Sequence, residues 1–257
     1  MALSLFRIAS PPPGEVVRPL VLADGSEVPV RWVRDARARR LRVLVTERGV
    51  RLTLPLRASE RSALAFLVEH REWLARTLAK RPPPAEFPTL VRGDAASIPL
   101  RGETLALRWT TGRYARAERD GDALALQLPA RAGDAAARRA LKEFYLAQAR
   151  ADIGAWLPKY LPSLPAPPAN LRLRPLASLW SSLSPRNDLS LDLALVLGRP
   201  SAFEYVLVHE LCHLHERNHS RRFWRHVEVH CPDWRDERTY LHGEGLQLKA
   251  RLRALLS

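Results

Sequence analysis

His209 and His213 lie four residues apart in the stretch from Phe203 to Leu214, with Glu210 between them. The stretch reads as a helix buried nearly all round, with Phe203, Leu207, Leu211 and Leu214 on one face and Val206 and Val208 beside them. Residues four apart on a helix lie about 40° from one another around its axis, so both imidazoles point the same way. Buried imidazoles without partners are costly, and a chain that folds with two of them on one buried face must supply something for them to bind. A metal ion supplies it, and the carboxylate of Glu210 then lies beside any water that the ion carries. Seven of the eight histidines fall between His209 and His242, so the rest of the chain is read against this site.

Catalytic zinc sites use three protein ligands and keep one position open. His219, six residues after His213, is the best third ligand. A continuing helix would not bring it back, but Asn218 suits a left-handed turn at the helix end. Ser220 can cap the helix that follows, with Phe223, Trp224, Val227 and Cys231 as its apolar positions. Glu228, Glu237 and Glu244 are the other possible third ligands, and Cys231, His230 and Glu228 could close a structural site as a fourth. His226, His230 and Tyr240 are weak candidates for oxyanion donors, each more readily structural. His215 lies about 120° round the helix from His209 and reads as exposed or hydrogen-bonded. His70, on the apolar face of another helix, reads as a packed residue.

Upstream, Val16–Leu22, Val28–Val33, Leu41–Val45 and Val50–Leu54 read as strands, with Asp24-Gly25 as a hairpin turn. Between the second and third, the run from Arg34 to Arg40 carries four arginines and reads as a solvated turn, with phosphate binding the weaker alternative. Ser59 suits the N-cap of one helix running past Leu78, and the Pro82–Pro84 run stops it. A second β-rich run has strands at Thr104–Trp109 and Ala123–Leu128, followed by a long helix capped by Asp134 and ended or kinked by Pro158. Leu171–Arg174, Ala177–Leu183 and Leu189–Leu197 are further strands. The last has leucine at every second position, with Ser190 and Asp192 facing the other way. Ser201 with Glu204 makes a capping box for the histidine-bearing helix. No internal repeat is evident. The domains expected are residues 1–84, a β-rich region ending in a helix and a Pro-rich linker, and residues 85–257, which carry the site.

The formal net charge is +14, almost all from arginine, a balance that favours acidic partners or nucleic acid. The arginines are spread along the chain and not gathered into a binding stripe, which favours a compositional origin. Two cysteines, Cys212 and Cys231, are too few for a disulfide framework and fit a reducing compartment. There is no convincing signal peptide and no apolar run of membrane-spanning length, so a cytoplasmic protein without membrane contact is expected.

The spacing of the three histidines is that of the metzincins, but Glu216 replaces their glycine and the sole methionine is Met1, so a Met-turn is impossible. The segment Tyr205–His213, then Asn218-His219-Ser220 and Phe223-Trp224, instead resembles the YgjP-like metallopeptidases, relatives of the SprT-like and WSS-type proteases. Trp180-Ser181-Ser182 resembles their Trp-Gly-Ser element, with Ser181 in place of the glycine and Leu183 in place of the usual cysteine. The arginine-rich hairpin leading into Leu41–Pro55, Glu72-Trp73-Leu74 and Cys231-Pro232-Asp233 extend the likeness over most of the chain. The resemblance implies an α+β class: a minimal zincin-like domain with an active-site helix and an antiparallel sheet, preceded by a β-hairpin and helix region. It also implies one Zn2+ per chain, held by His209, His213 and His219, with Glu210 as the catalytic base of peptide-bond hydrolysis through a metal-bound water. Peptides or proteins would be the substrates, laid along the Leu189–Leu197 strand by strand addition with its polar face near the cleft. The alternative is a nucleic-acid-associated module with a structural or vestigial zinc, suggested by the basic charge.

Overall fold

The computed structural model describes residues 15–46, 49–79, 87, 89–93, 97–176 and 179–257. The chain divides into two compact units, 1–86 and 87–257. The linker expected at 82–84 lies outside the described residues.

In the first unit, β1 (Glu15–Val21), β2 (Glu27–Arg34), β3 (Arg42–Thr46) and β4 (Gly49–Leu54) form a sheet in the order β1-β2-β4-β3. The β1–β2 hairpin turns at Gly25 (φ 80°), where the Asp24 carboxylate accepts hydrogen bonds from the backbone N–H and the hydroxyl of Ser26. Alternation in β2 buries Val28, Val30 and Trp32 against Leu52, Leu54, Ala63 and Leu67. Ser59 caps α1 (Glu60–Glu69), its hydroxyl accepting from Ser62 N–H. The single helix expected here is two, because it breaks at His70 before α2 (Arg71–Ala79). The His70 ring is hydrogen-bonded to the Phe66 carbonyl at 2.8 Å and packs on the Phe66 ring, so it is no ligand.

The second unit opens with β5 (Ser97–Leu100), β6 (Glu103–Thr111), β7 (Arg116–Asp120) and β8 (Ala123–Leu128), in the order β5-β6-β8-β7. This is the plan of the first sheet, pair by pair: antiparallel, parallel, antiparallel. The register agrees as well, since Trp32 stands opposite Leu52 and Trp109 opposite Leu126. Leu52-Thr53-Leu54-Pro55 and Leu126-Gln127-Leu128-Pro129 then lead into helices that bury Ala63 and Leu67 in one case, Ala137 and Leu141 in the other. The chain therefore contains a repeat, against the sequence reading, with the matching residues 74 positions apart from Leu52 to Leu67. In both copies one arginine nitrogen fills the carbonyl pocket of the strand-to-helix turn. Arg34 donates to Pro55, Leu56 and Ala58, and Arg92 to Pro129, Ala130 and Ala132. Arg34, from the arginine run, thus serves the turn and not a phosphate.

α3 (Asp134–Tyr160) begins after Gly133; Asp134 does not cap it but accepts from Arg92 N–H, and Pro158 lies inside the helix without ending it. A three-stranded sheet follows: β9 (Asn170–Arg174), β10 (Ser181–Leu183) and β11 (Asp188–Asp192) in the order β10-β11-β9. It is mixed, not antiparallel as expected, because β11 runs parallel to β9 and antiparallel to β10. β11 is central, so it cannot accept a further strand, and its Ser190 and Asp192 are buried instead of facing a cleft. Nor does the strand continue to Leu197. The Asp192 carboxylate accepts from Ala194 N–H at 2.9 Å and starts a 3₁₀ segment, Leu193–Leu197, buried throughout. A period-two leucine pattern can be satisfied this way when α3 and the helices that follow enclose the segment on several sides.

Those helices are α4 (Pro200–Cys212), α5 (Arg221–His230) and α6 (Trp234–Leu256). α4 starts with Pro200 at its first turn after Arg199, so the expected Ser201 capping box is replaced; Glu204 accepts from the Tyr160 hydroxyl and from Lys159. Phe203, Leu207 and Leu211 of α4 join Phe223 and Val227 of α5 and Leu252 of α6 in one core. Lys249 of α6 is buried and donates to the carbonyls of Leu176 and Leu179 and to the Asp192 carboxylate. Removing the lysine leaves an uncompensated buried carboxylate. Lys249→Met is therefore expected to lower stability by about 3–5 kcal/mol in urea denaturation, and Lys249→Met with Asp192→Asn to recover most of it.

Candidate metal centre

His209 and His213 stand one turn apart on α4, and the helix ends at His213, whose backbone is still right-handed (φ −68°, ψ −13°). Asn218 is not left-handed; among the described residues Arg101 and Asn187 are the non-glycine positions with positive φ. The return is made by successive turns after Cys212 and by Asn218, whose side-chain oxygen accepts from Ser220 N–H at 3.0 Å. Ser220 caps α5 as expected, its hydroxyl accepting from Phe223 N–H at 3.3 Å.

This path brings His219 to the α4 histidines. One ligand atom from each of His209, His213 and His219 lies within 4.8 Å of the other two. The Nε2 atoms of His209 and His219 are 3.1 Å apart, near the roughly 3.3 Å that separates two nitrogens on one tetrahedral zinc. His213 Nδ1 is 2.9 Å from the Glu216 carbonyl oxygen, which fixes the ring and leaves Nε2 for the centre. Behind the three rings sits Phe223, fully buried, with its ring centre 4.9 Å from that of His209, 4.4 Å from His213 and 4.8 Å from His219. The donor set and spacing fit a metal ion.

Burial, together with the neighbouring His213, His219 and Arg238, lowers the His209 pKa to about 3, and burial lowers that of His219. Both rings are thus neutral at neutral pH, the form that ligates metal. Glu210, 5% exposed, lines the same cleft and accepts from the Ser181 hydroxyl at 2.7 Å. Burial raises its pKa, and the serine bond opposes that rise.

The cleft beside the histidines has a volume of about 330 Å3 and is walled by Trp180, Ser181, Tyr205, Arg238, Leu241 and His242 among others. Ser181, Arg238 and His242 were not singled out as site residues from sequence. Ser181 was visible as a departure from a family glycine. Arg238 and His242 share a helical stripe with Gly245 and Lys249, a signal that four-residue spacing carries but that gives no chemistry by itself. The weak oxyanion candidates lie elsewhere: Tyr240 accepts from Arg199 N–H, His226 stacks on His215, and His230 packs on Tyr160. The alternative ligands are engaged too, Glu228 with Trp234 and Arg235, and Glu237 with Arg199.

The low His209 pKa predicts how the metal-free protein responds to acid. The folded state resists a proton that the unfolded chain takes up near pH 6.5, so stability is full above that value and declines as pH falls. Urea denaturation of metal-free protein between pH 7.5 and 4.5 is expected to show a decline approaching about 1.4 kcal/mol per pH unit from His209, and His209→Gln to flatten it.

Neither the curated proteins nor the solved structures offer a match to this chain. The family model described as YgjP-like, metallopeptidase domain, matches residues 39–244, which include all three histidines, Glu210 and the Trp180-Ser181 element. With four-fifths of its length covered, the chain belongs to the YgjP-like metallopeptidase family.

Proposed function

We propose that the protein is a zinc-dependent peptidase in which His209, His213 and His219 hold one Zn2+ and Glu210 is the general base. The observation that carries this reading is the convergence of three imidazoles, from His209, His213 and His219, in a cleft that also holds the buried Glu210 carboxylate. Among the described residues the group of candidate ligands stops at three, the count of a catalytic zinc site and not of a closed structural one. When bound, the ion would supply Lewis-acid chemistry, polarising the scissile carbonyl and acidifying water.

Glu210 has the environment for its part. Its raised pKa favours taking a proton from the attacking water and passing it to the leaving amine, and the Ser181 hydroxyl holds one carboxylate oxygen while the other stays free. β10, the outer strand of its sheet and packed against α4, replaces β11 as the element on which an extended peptide would lie. Peptides or proteins are the substrates. Cys212 and Cys231 are free thiols whose pKa values burial raises to about 12 and about 11, which suits a reducing cytoplasmic setting. The nucleic-acid alternative has no such support, since Arg34, Arg92, Arg101, Arg199 and Arg235 are engaged with the protein's own carbonyls and carboxylates.

Incubating zinc-loaded protein with peptide and denatured-protein pools should give cleavage that chelation abolishes. Glu210→Gln should reduce it by about 10²–10⁴-fold while keeping the metal; intact cleavage in that variant would refute the mechanism. In a separate metal analysis, His219→Ala is expected to bind zinc far more weakly than the wild type, and unchanged content would move the third ligand elsewhere.

A further inference from the structure

α6 carries four charged side chains in one turn, Arg235, Asp236, Glu237 and Arg238, and they have different fates. Arg235 pairs with Glu228 at 3.1 Å, and Glu237 pairs with Arg199 at 2.8 Å. Arg238 follows directly, yet among the described residues no carboxylate stands within ion-pair distance of it. Its guanidinium lies 5.7 Å from the ring centre of Trp224, a cation–π contact that fixes one face of the group and leaves its N–H edge for another partner. It borders the cleft that holds His209, His213, His219 and Glu210.

The cleft is therefore electrostatically one-sided. Its walls hold one carboxylate, Glu210, which is buried and engaged by Ser181, against the exposed guanidinium of Arg238. Apolar walls from Leu179, Trp180, Val206 and Leu241 strengthen any charge interaction made there. An unpaired guanidinium with one face against an aromatic ring offers two parallel N–H donors, the match for a carboxylate.

We propose that Arg238 sets substrate specificity by binding a peptide carboxylate next to the scissile bond, so that the site prefers acidic peptides. The carboxylate is either an Asp or Glu side chain or the C-terminal carboxylate of the peptide. This rests on the peptidase reading above.

Fluorescence anisotropy on zinc-loaded Glu210→Gln protein measures binding without turnover. The labelled peptides form two matched pairs: Glu against Gln at each internal position, and C-terminal acid against C-terminal amide. At least one acidic peptide should bind about tenfold more tightly than its neutral match, and the pair that shows the difference identifies the source of the carboxylate. Adding Arg238→Gln should bring that ratio to about one while the neutral peptide's affinity holds, and Arg238→Glu should favour a Lys-containing peptide instead. A ratio near one in the parent protein, a ratio that survives Arg238→Gln, or an equal loss for acidic and neutral peptides overturns the proposal. Arg238 is exposed, so thermal melts of these variants should match the parent. Cleavage by the Glu210 protein is scored separately: if none occurs, the peptidase reading fails, and the anisotropy ratio still decides the role of Arg238.

Discussion

A lysine and an aspartate, both all but sealed from solvent, tie together the part of the second unit that carries the histidine cluster. Each of the three acceptors around Lys249 Nζ lies on a different piece of chain or a different turn: the Leu176 carbonyl, the Leu179 carbonyl and the Asp192 carboxylate. Asp192 in turn receives the N–H groups of Ala194 and Leu176. Burial alone would drive both side chains toward their neutral forms, raising the aspartate and lowering the lysine, while their mutual attraction opposes this. Such a pair adds little net stability over an apolar replacement, but once built it dictates geometry, because every lone pair and proton has one address. It ends β11, starts the 3₁₀ segment and holds the approach to β10.

The site depends on that geometry through Trp180. Its ring lies 4.5 Å from Lys249 Nζ and against Gly245, where even a methyl group would come within 2.5 Å of it. Its carbonyl accepts from Asp192 N–H at 2.8 Å. With Trp180 fixed on ring and backbone, Ser181 can only present its hydroxyl toward α4, where it meets Glu210. From the other side, Phe223 touches all three histidine rings, so the capped start of α5 locates the three histidines by packing. A carboxylate held by a sheet and imidazoles held by a helix start are thus brought together by two independent supports.

The three-histidine cluster was legible in the sequence because helical spacing alone aligns His209 with His213, and a polar turn follows at the right distance for His219. Legibility ended where a side chain far along the chain decides local structure. Leucines alternate from 189 to 197, and no local rule reveals that Asp192 will be claimed by Lys249, 57 residues on, and turn the chain into a 3₁₀ segment. The left-handed turn assigned to Asn218 failed for a related reason: its side chain makes an Asx bond to Ser220 N–H, a second way for asparagine to reverse a chain. Arg238 was invisible as a site residue because its importance lies in what does not pair with it, which needs the positions of Glu228 and Glu237.

The repeat shows how one plan yields two different elements. The helix after the first sheet breaks at His70, while its counterpart after the second runs unbroken for 27 residues. The position that matches His70 is Phe144, 74 residues on. The imidazole of His70 bonds the Phe66 carbonyl, which also accepts the His70 backbone N–H at 3.2 Å. Phe144 has no polar atom to offer; it is buried, and the helix passes through it to Tyr160. That added length gives α3 the surface on which the 193–197 segment and α4 pack. The first helix thus stops at His70 while the second continues past the matching position, and the two sheets keep their matching Trp–Leu registers.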